Sequence, residues 1–177
     1  MDLKKTILLI CAGIGLWFAW DATSNRALTK ERVLDLYREA GRALMSNDGE
    51  AYCRLFSDDL SGNSETRMPG MPVERKTITQ KDACAVVDEL YTLKRKMEEK
   101  ARVALHVNHE FMIASVTLAP DRKSATVEFN DEIRIGTERG AALTLRSRQT
   151  DRIRQRSGKI RIFQSDGSME IFPGNGQ

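Results

Sequence analysis

Between residues 103 and 172 the chain alternates apolar and polar side chains through several consecutive runs. That period of two restricts what the chain can fold into more than any other feature. Leu105, Val107, Phe111 and Ile113 recur on one face, and Ala119-Pro120-Asp121-Arg122-Lys123 then breaks the run with turn residues. Ala125, Val127, Phe129, Ile133 and Ile135 resume it, with Thr126, Glu128, Asn130, Glu132 and Arg134 on the opposite face. A turn over residues 136–140 leads to a third strand that opens on Leu143 and Leu145 and becomes polar. Gly158 and Asp166-Gly167 punctuate two more, over 159–164 and 169–172. Four or five consecutive strands joined by short turns predict one curled antiparallel sheet.

Helical spacing precedes the sheet. Val33, Leu36, Tyr37, Ala40, Ala43 and Leu44 form one apolar stripe that Thr29 can start and Asn47-Asp48-Gly49 can end. A short helix over about 49–56 buries Tyr52, Leu55 and Phe56. Residues 58–75, with Ser61-Gly62-Asn63-Ser64, Pro69-Gly70 and Pro72, read as a long loop that covers an opening in the domain. Thr79, with Asp82 three places on, caps the longest helix, whose apolar face runs from Ala83 through Val86, Val87, Leu90, Tyr91 and Leu93 to Met97. The fold class is therefore α+β, three N-terminal helices packed on a curved antiparallel sheet over residues 29–173, with a tail at 174–177.

Two lysines, Lys4 and Lys5, precede an uncharged run over residues 6–20, the layout of a signal anchor. Fifteen helical residues span about 22 Å, short of a hydrocarbon core, but snorkelling lysines and interfacial Trp17 and Trp20 accommodate that. Phe18-Ala19-Trp20-Asp21-Ala22 offers no clean small-residue cleavage site, and bulky Ile10 before Cys11 departs from a lipoprotein signal. The expectation is a single-pass inner-membrane segment over 1–20, a tether over 21–28 and a domain in the periplasm, with secretion after cleavage as the alternative.

Against 28 basic and 25 acidic residues a net charge of +3 is small, and only 6% of residues are aromatic, so nothing global calls for nucleic acid and no nucleic-acid partner is expected. His106 and His109 are the two histidines and neither stands at zinc spacing from a cysteine, so no metal is expected, nor is a cofactor, since no phosphate-binding glycine loop is present. Outside the cytoplasm Cys53 and Cys84 either form a disulfide or remain two buried thiols.

Asp48-Gly49-Glu50-Ala51-Tyr52 after the first helix and Gly158-Lys159-Ile160-Arg161-Ile162 after the polar third strand, in this order of elements, resemble the nuclear transport factor two-like superfamily, which includes ketosteroid-isomerase-like and SnoaL-like domains. That resemblance implies a cone whose helices close one side of the sheet and leave a pocket. A membrane span ahead of such a domain is similar to the bitopic assembly-factor subunit of type IV secretion systems, although this chain is shorter.

Pairing Leu118 with Ser124 and Ile135 with Ala141 puts Phe111, Asp131 and Leu145 in one inward row and Ile113, Phe129 and Ser147 in the next. His109, Asp131, Ser147, Gln149 and Asp151 then share the interior. The expected ligand pocket comprises Tyr52, Tyr91, Phe111, Phe129, Asp131, Ser147 and Gln149. Desolvation raises a carboxyl into proton-transfer range, so Asp131, with His109 as partner, is the candidate base for an isomerase- or cyclase-like enzyme. On the outer face the same pairing sets Arg148 across from Glu128 and leaves Arg152 and Arg154 without acidic mates. Arg146, Arg148, Arg152 and Arg154 thereby form a candidate interaction face for a protein partner or a second copy. The leading expectation is a non-catalytic interaction module, with a small-molecule pocket protein and an Asp131 enzyme as rivals. A ligand binder needs a cavity of roughly 300 Å³ or more, whereas an interaction module needs none.

Overall fold

The computed structural model describes residues 27–174. The expected membrane segment at 1–20 and residues 21–26 of the tether lie outside them, as do residues 175–177 of the tail. Among the described residues no helix is long and apolar enough to cross a membrane. The elements are α1 (Lys30–Met45), α2 (Gly49–Cys53), β1 (Phe56–Arg67), β2 (Glu74–Thr79), α3 (Gln80–Ala101), β3 (His106–Leu118), β4 (Ser124–Thr137), β5 (Gly140–Arg156) and β6 (Lys159–Pro173). The strands form one curved sheet in the order β2-β1-β6-β5-β4-β3, in which β1 and β6 run parallel and every other pair antiparallel.

Local chemistry sets the helices. The Thr29 side chain accepts from the Arg32 amide at 3.3 Å and starts α1, which buries Val33, Leu36, Tyr37, Ala43 and Leu44. Thr79 and Asp82 form a reciprocal capping box at the start of α3, and Ala83, Val87 and Leu90 turn inward. Two apolar clusters result. One joins Leu28, Val33, Leu36 and Tyr37 to Val127, Phe129, Ile153 and Ile162, and closes one end of the cone. The other joins Leu44, Val87 and Leu90 to Val107, Ile133 and Ile135 under the far end of α3. Burying each such side chain contributes about 1.5–3 kcal/mol.

The sheet departs from the sequence expectation in four respects. Only 68–73 of the expected loop over 58–75 is a loop: β1 and β2 flank it and pair as a hairpin, from Ser61 with Thr79 to Thr66 with Glu74. The short helix ends at Cys53, and Phe56 opens β1. The sheet is mixed, because β1 lies parallel to β6. Residues 159–164 and 169–172 belong to one strand that passes straight through Asp166-Gly167.

These departures share a cause. A Cβ on Gly62 would lie 1.7 Å from the Ser165 carbonyl oxygen, and Asp166 Oδ1 accepts from the Asn63 amide at 2.9 Å. The residues that read as turn punctuation in two distant stretches meet each other, where β1 and β6 approach too closely for a side chain. A bulge near Ala114 shifts the turn-proximal part of β3–β4, so Leu118 faces Ala125, yet Phe111 still faces Asp131 and Ile113 faces Phe129. The β4–β5 turn, which pairs Thr137 with Gly140, and an extra residue between Ile135 and Gly136 together move β5 by two residues from the expected pairing and preserve which face each residue occupies. Asp131 therefore faces Ser147 instead of Leu145, and Phe129 faces Gln149.

Candidate functional site

The sheet curls around a cavity of about 500 Å³ roofed by α1, α2 and α3. Its wall is mostly apolar, with Phe56, Phe111, Phe129, Ile133, Leu90 and Leu145 among the lining residues. Exposed lining residues Glu74, Lys76, Val86, Glu89 and Leu93 mark a mouth between β2 and α3. An ion pair between Lys76 and Asp82 bridges the two elements at that rim.

Two polar groups break the apolar surface. In the first, His109 Nε2 lies 2.5 Å from Asp131 Oδ1, Ser147 Oγ donates to Asp131 Oδ2 at 3.4 Å, and Gln149 Nε2 donates to Ser147 Oγ at 3.1 Å. The His109 ring stacks on Phe111 with centroids 5.8 Å apart. Its Nδ1 is turned to α1, 3.5 Å from where a Cβ on Gly41 would sit. That packing fits the tautomer with hydrogen on Nε2, which donates to Asp131. Side-chain exposures of 11% for His109 and 17% for Asp131 leave the carboxylate, more than the imidazole, accessible to a molecule in the cavity.

In the second group, the Tyr37 hydroxyl donates to Asp151 Oδ2 at 2.7 Å, and the Tyr37 ring meets Phe129 edge-on at 5.0 Å. Asp151 is 2% exposed, and its Oδ1 makes no hydrogen bond among the described residues. Burial pushes Asp151 up to about 6, against the lowering effect of the Ser165 and Tyr37 hydroxyls. Burial and then the Asp151 charge push the Tyr37 phenol far above its ordinary value. Tyr52 is raised likewise, by burial first and then by the charges of Asp131 and Asp151. Its hydroxyl makes no hydrogen bond among the described residues and stands near both carboxylates as a spare donor. The ring of Tyr52 is held edge-on to Phe56 at 5.3 Å. Cys53 and Cys84 form a disulfide, Cα atoms 4.5 Å apart, that ties α2, the carrier of Tyr52, to α3.

Neither a protein-family model nor the sequence of a curated protein matches this chain. Solved structures do resemble it. A conserved protein from Planctomyces limnophilus DSM 3776 superposes with a TM-score of 0.54 at 11% identity, over 80% of this chain and 94% of the other. A hexachlorocyclohexane dehydrochlorinase (LinA, type 2) gives 0.52 at 12% identity, over 82% and 88%. An NTF-2 like protein of unknown function from Shewanella oneidensis MR-1 gives 0.51 at 13% identity, over 78% and 97%. The fold is nuclear transport factor two-like.

Within this nuclear transport factor two-like cone, Tyr52, Phe111, Phe129, Asp131, Ser147 and Gln149 all line the cavity, together with His109. Tyr91 does not. It points from α3 to α1, where its hydroxyl donates to the Met45 carbonyl at 3.0 Å, because the apolar stripe that carries it packs between the helices. Tyr37 and Asp151 belong to the lining but were legible only as a stripe residue and an inward-parity residue. One signal was available: a tyrosine inside an apolar helical stripe needs a partner for its hydroxyl, and the sheet beneath it supplies an inward acid.

On the outer face of the nuclear transport factor two-like sheet the arginines are engaged differently from expectation. The two-residue shift of β5 sets Arg148 across from Asn130, 3.4 Å away, and Arg146 across from Glu132, 2.6 Å away. Arg146 also lies over the Phe172 ring at 5.4 Å. Arg154 has an acidic mate after all, Asp59 of β1, and covers Phe163 at 5.0 Å. That part of the expected loop is a strand, and that is what brings Asp59 within reach. Arg152 stands between Thr126 and Gln164 with no ion pair among the described residues.

Proposed function

We propose that this domain binds a small, largely apolar molecule inside the cone and holds it through a hydrogen-bond donor, a hydroxyl or an amine, that reaches Asp131. The single observation that carries this reading is the open cavity of about 500 Å³ with a polar row on one apolar wall. A module that acts only through its surface has no use for that volume, and a drug-sized ligand needs about as much. His109 and Ser147 already direct two donors at Asp131, which makes the carboxylate an oriented acceptor, and Tyr52 supplies a donor on the opposite side. The outer arginine row supports a docking face less well, since Arg146 and Arg154 are committed within the sheet. The Cys53–Cys84 bond supports an oxidising, extracytoplasmic address, and the apolar run at 6–20 supports membrane attachment.

The test is a titration of the full chain with N-phenyl-1-naphthylamine, an apolar fluorophore that carries one N–H donor. Saturable one-to-one enhancement with a Kd on the order of micromolar is expected. Ser147→Phe, which fills the cavity, weakens binding at least about tenfold, and Asp131→Asn weakens it about threefold to tenfold through loss of the charged acceptor. Equal binding by the filled variant, or no enhancement by the native chain, overturns the reading.

A further inference from the structure

Two hairpin tips and the start of the domain converge at the closed end of the cone. Leu28 is fully buried there, and its amide donates to the Arg122 carbonyl at 2.7 Å, which pins the first described residues against the β3–β4 tip. The Gln155 amide donates to the Lys123 carbonyl at 2.8 Å and draws the β5–β6 tip against the β3–β4 tip. Lys30, Arg122, Lys123, Arg156 and Lys159 are all exposed around this junction, and none makes an ion pair among the described residues. Only Glu31 and Asp121 oppose them locally, and Asp121 accepts from the Lys123 amide at 2.9 Å as part of the turn. At the other end of the strands signs are mixed: Glu98, Glu99 and Glu138 lie among Lys100, Arg102 and Arg139.

We propose that this closed, basic end rests on the bilayer and binds anionic phospholipid headgroups, with the cavity mouth facing elsewhere. The proposal rests on the reading of residues 6–20 as a membrane segment. Six residues, 21–26, separate that segment from the junction and reach at most about 20 Å when extended. A domain on so short a tether must present some surface to the headgroups, and the surface at the tether's exit is the one that carries unpaired cations. Each cation near an anionic membrane surface contributes about a fivefold factor to docking. The buried core of Leu28, Val33, Val127, Ile153 and Ile162 seals this end, so contact with lipid leaves the mouth between β2 and α3 free.

The experiment uses the full chain in a Cys11→Ser background, reconstituted into vesicles, with bimane attached at Ser157→Cys on the basic tip or at Glu138→Cys on the opposite turn. Sedimentation with phosphatidylcholine vesicles first tests the membrane segment alone. Quenching by headgroup-labelled lipid then tests docking. The expected result is strong quenching at 157 and weak quenching at 138 in phosphatidylglycerol vesicles. The ratio of docked to undocked protein falls at least about tenfold with the two charge reversals R122E and R156E combined, and it falls again in phosphatidylcholine or high salt. Equal quenching at the two positions, or quenching at 157 that ignores lipid charge and both reversals, overturns the proposal while leaving the membrane segment intact. A chain that fails to sediment with either vesicle overturns both.

Discussion

Asp151 is a carboxyl that folding removes from water while giving it only one firm hydrogen bond, from Tyr37. Its folded value of about 6 lies above the ordinary value of an aspartate carboxyl, about 4, so between those two values the folded chain holds a proton that the unfolded chain has released. Stability from this group is therefore greatest below about pH 4 and is lost as pH rises through 6, by at most about 3 kcal/mol. Asp59 and Asp82 act with the opposite sign: hydrogen bonds from Arg154 and from Lys76 hold them below the usual range, so their contributions fade only at stronger acid. Asp151→Asn is expected to raise the melting temperature at pH 8 and to lose that advantage at pH 4.5. Thermal melts across that range check it, and a variant less stable than the native chain at pH 8 contradicts the buried-charge account.

At the scale of elements, α3 depends on its first turn and β1 on its neighbours. Thr79→Ala removes the capping box of α3 and should cost about 1 kcal/mol, read as a drop of roughly 2–6 °C in Tm. Gly62→Ala forces a Cβ against the Ser165 carbonyl and should cost roughly 3 kcal/mol or more, with β1–β6 amides losing protection in hydrogen exchange before the β3–β4 amides do. Periodicity revealed β3, β4 and the first half of β5 because one side of each packs on apolar neighbours, and it also placed Phe111 beside Asp131. The bulge at Ala114 and the slip at Gly136 left no such mark, since a ladder absorbs one extra residue without altering the alternation far from it. Strand β1 was hidden altogether: Ser57-Asp58-Asp59 and Ser61-Gly62-Asn63-Ser64 have poor strand propensity, and only the ladders to β2 and β6 make them extended. Of the site, the parity argument brought His109, Asp131, Ser147 and Gln149 together, whereas Tyr37 and Asp151 depend on how α1 lies across the sheet, which no local pattern encodes.

Over the whole molecule, the Cys53–Cys84 bond is the covalent link between the helical roof and the segment that enters β1. It joins residues 31 apart, so replacing both by serine should cost about 3–4 kcal/mol by the loop-entropy estimate. Urea melts with and without reductant separate the cause: the native chain should fall to the level of the double variant, and the variant should not respond. An unchanged midpoint for the native chain under full reduction contradicts the stabilising role.

The parallel seat of β1 beside β6 dictates the order in which the molecule can be assembled. β6 is third in the sheet although it comes last among the strands, so a chain emerging from the ribosome carries two unfinished half-sheets until its final fifteen-residue strand arrives. Until then β1 and the seventeen-residue β5 each offer a bare edge to any neighbour. Nascent chains halted before Lys159 should accordingly clump, which sedimentation of the halted chains checks.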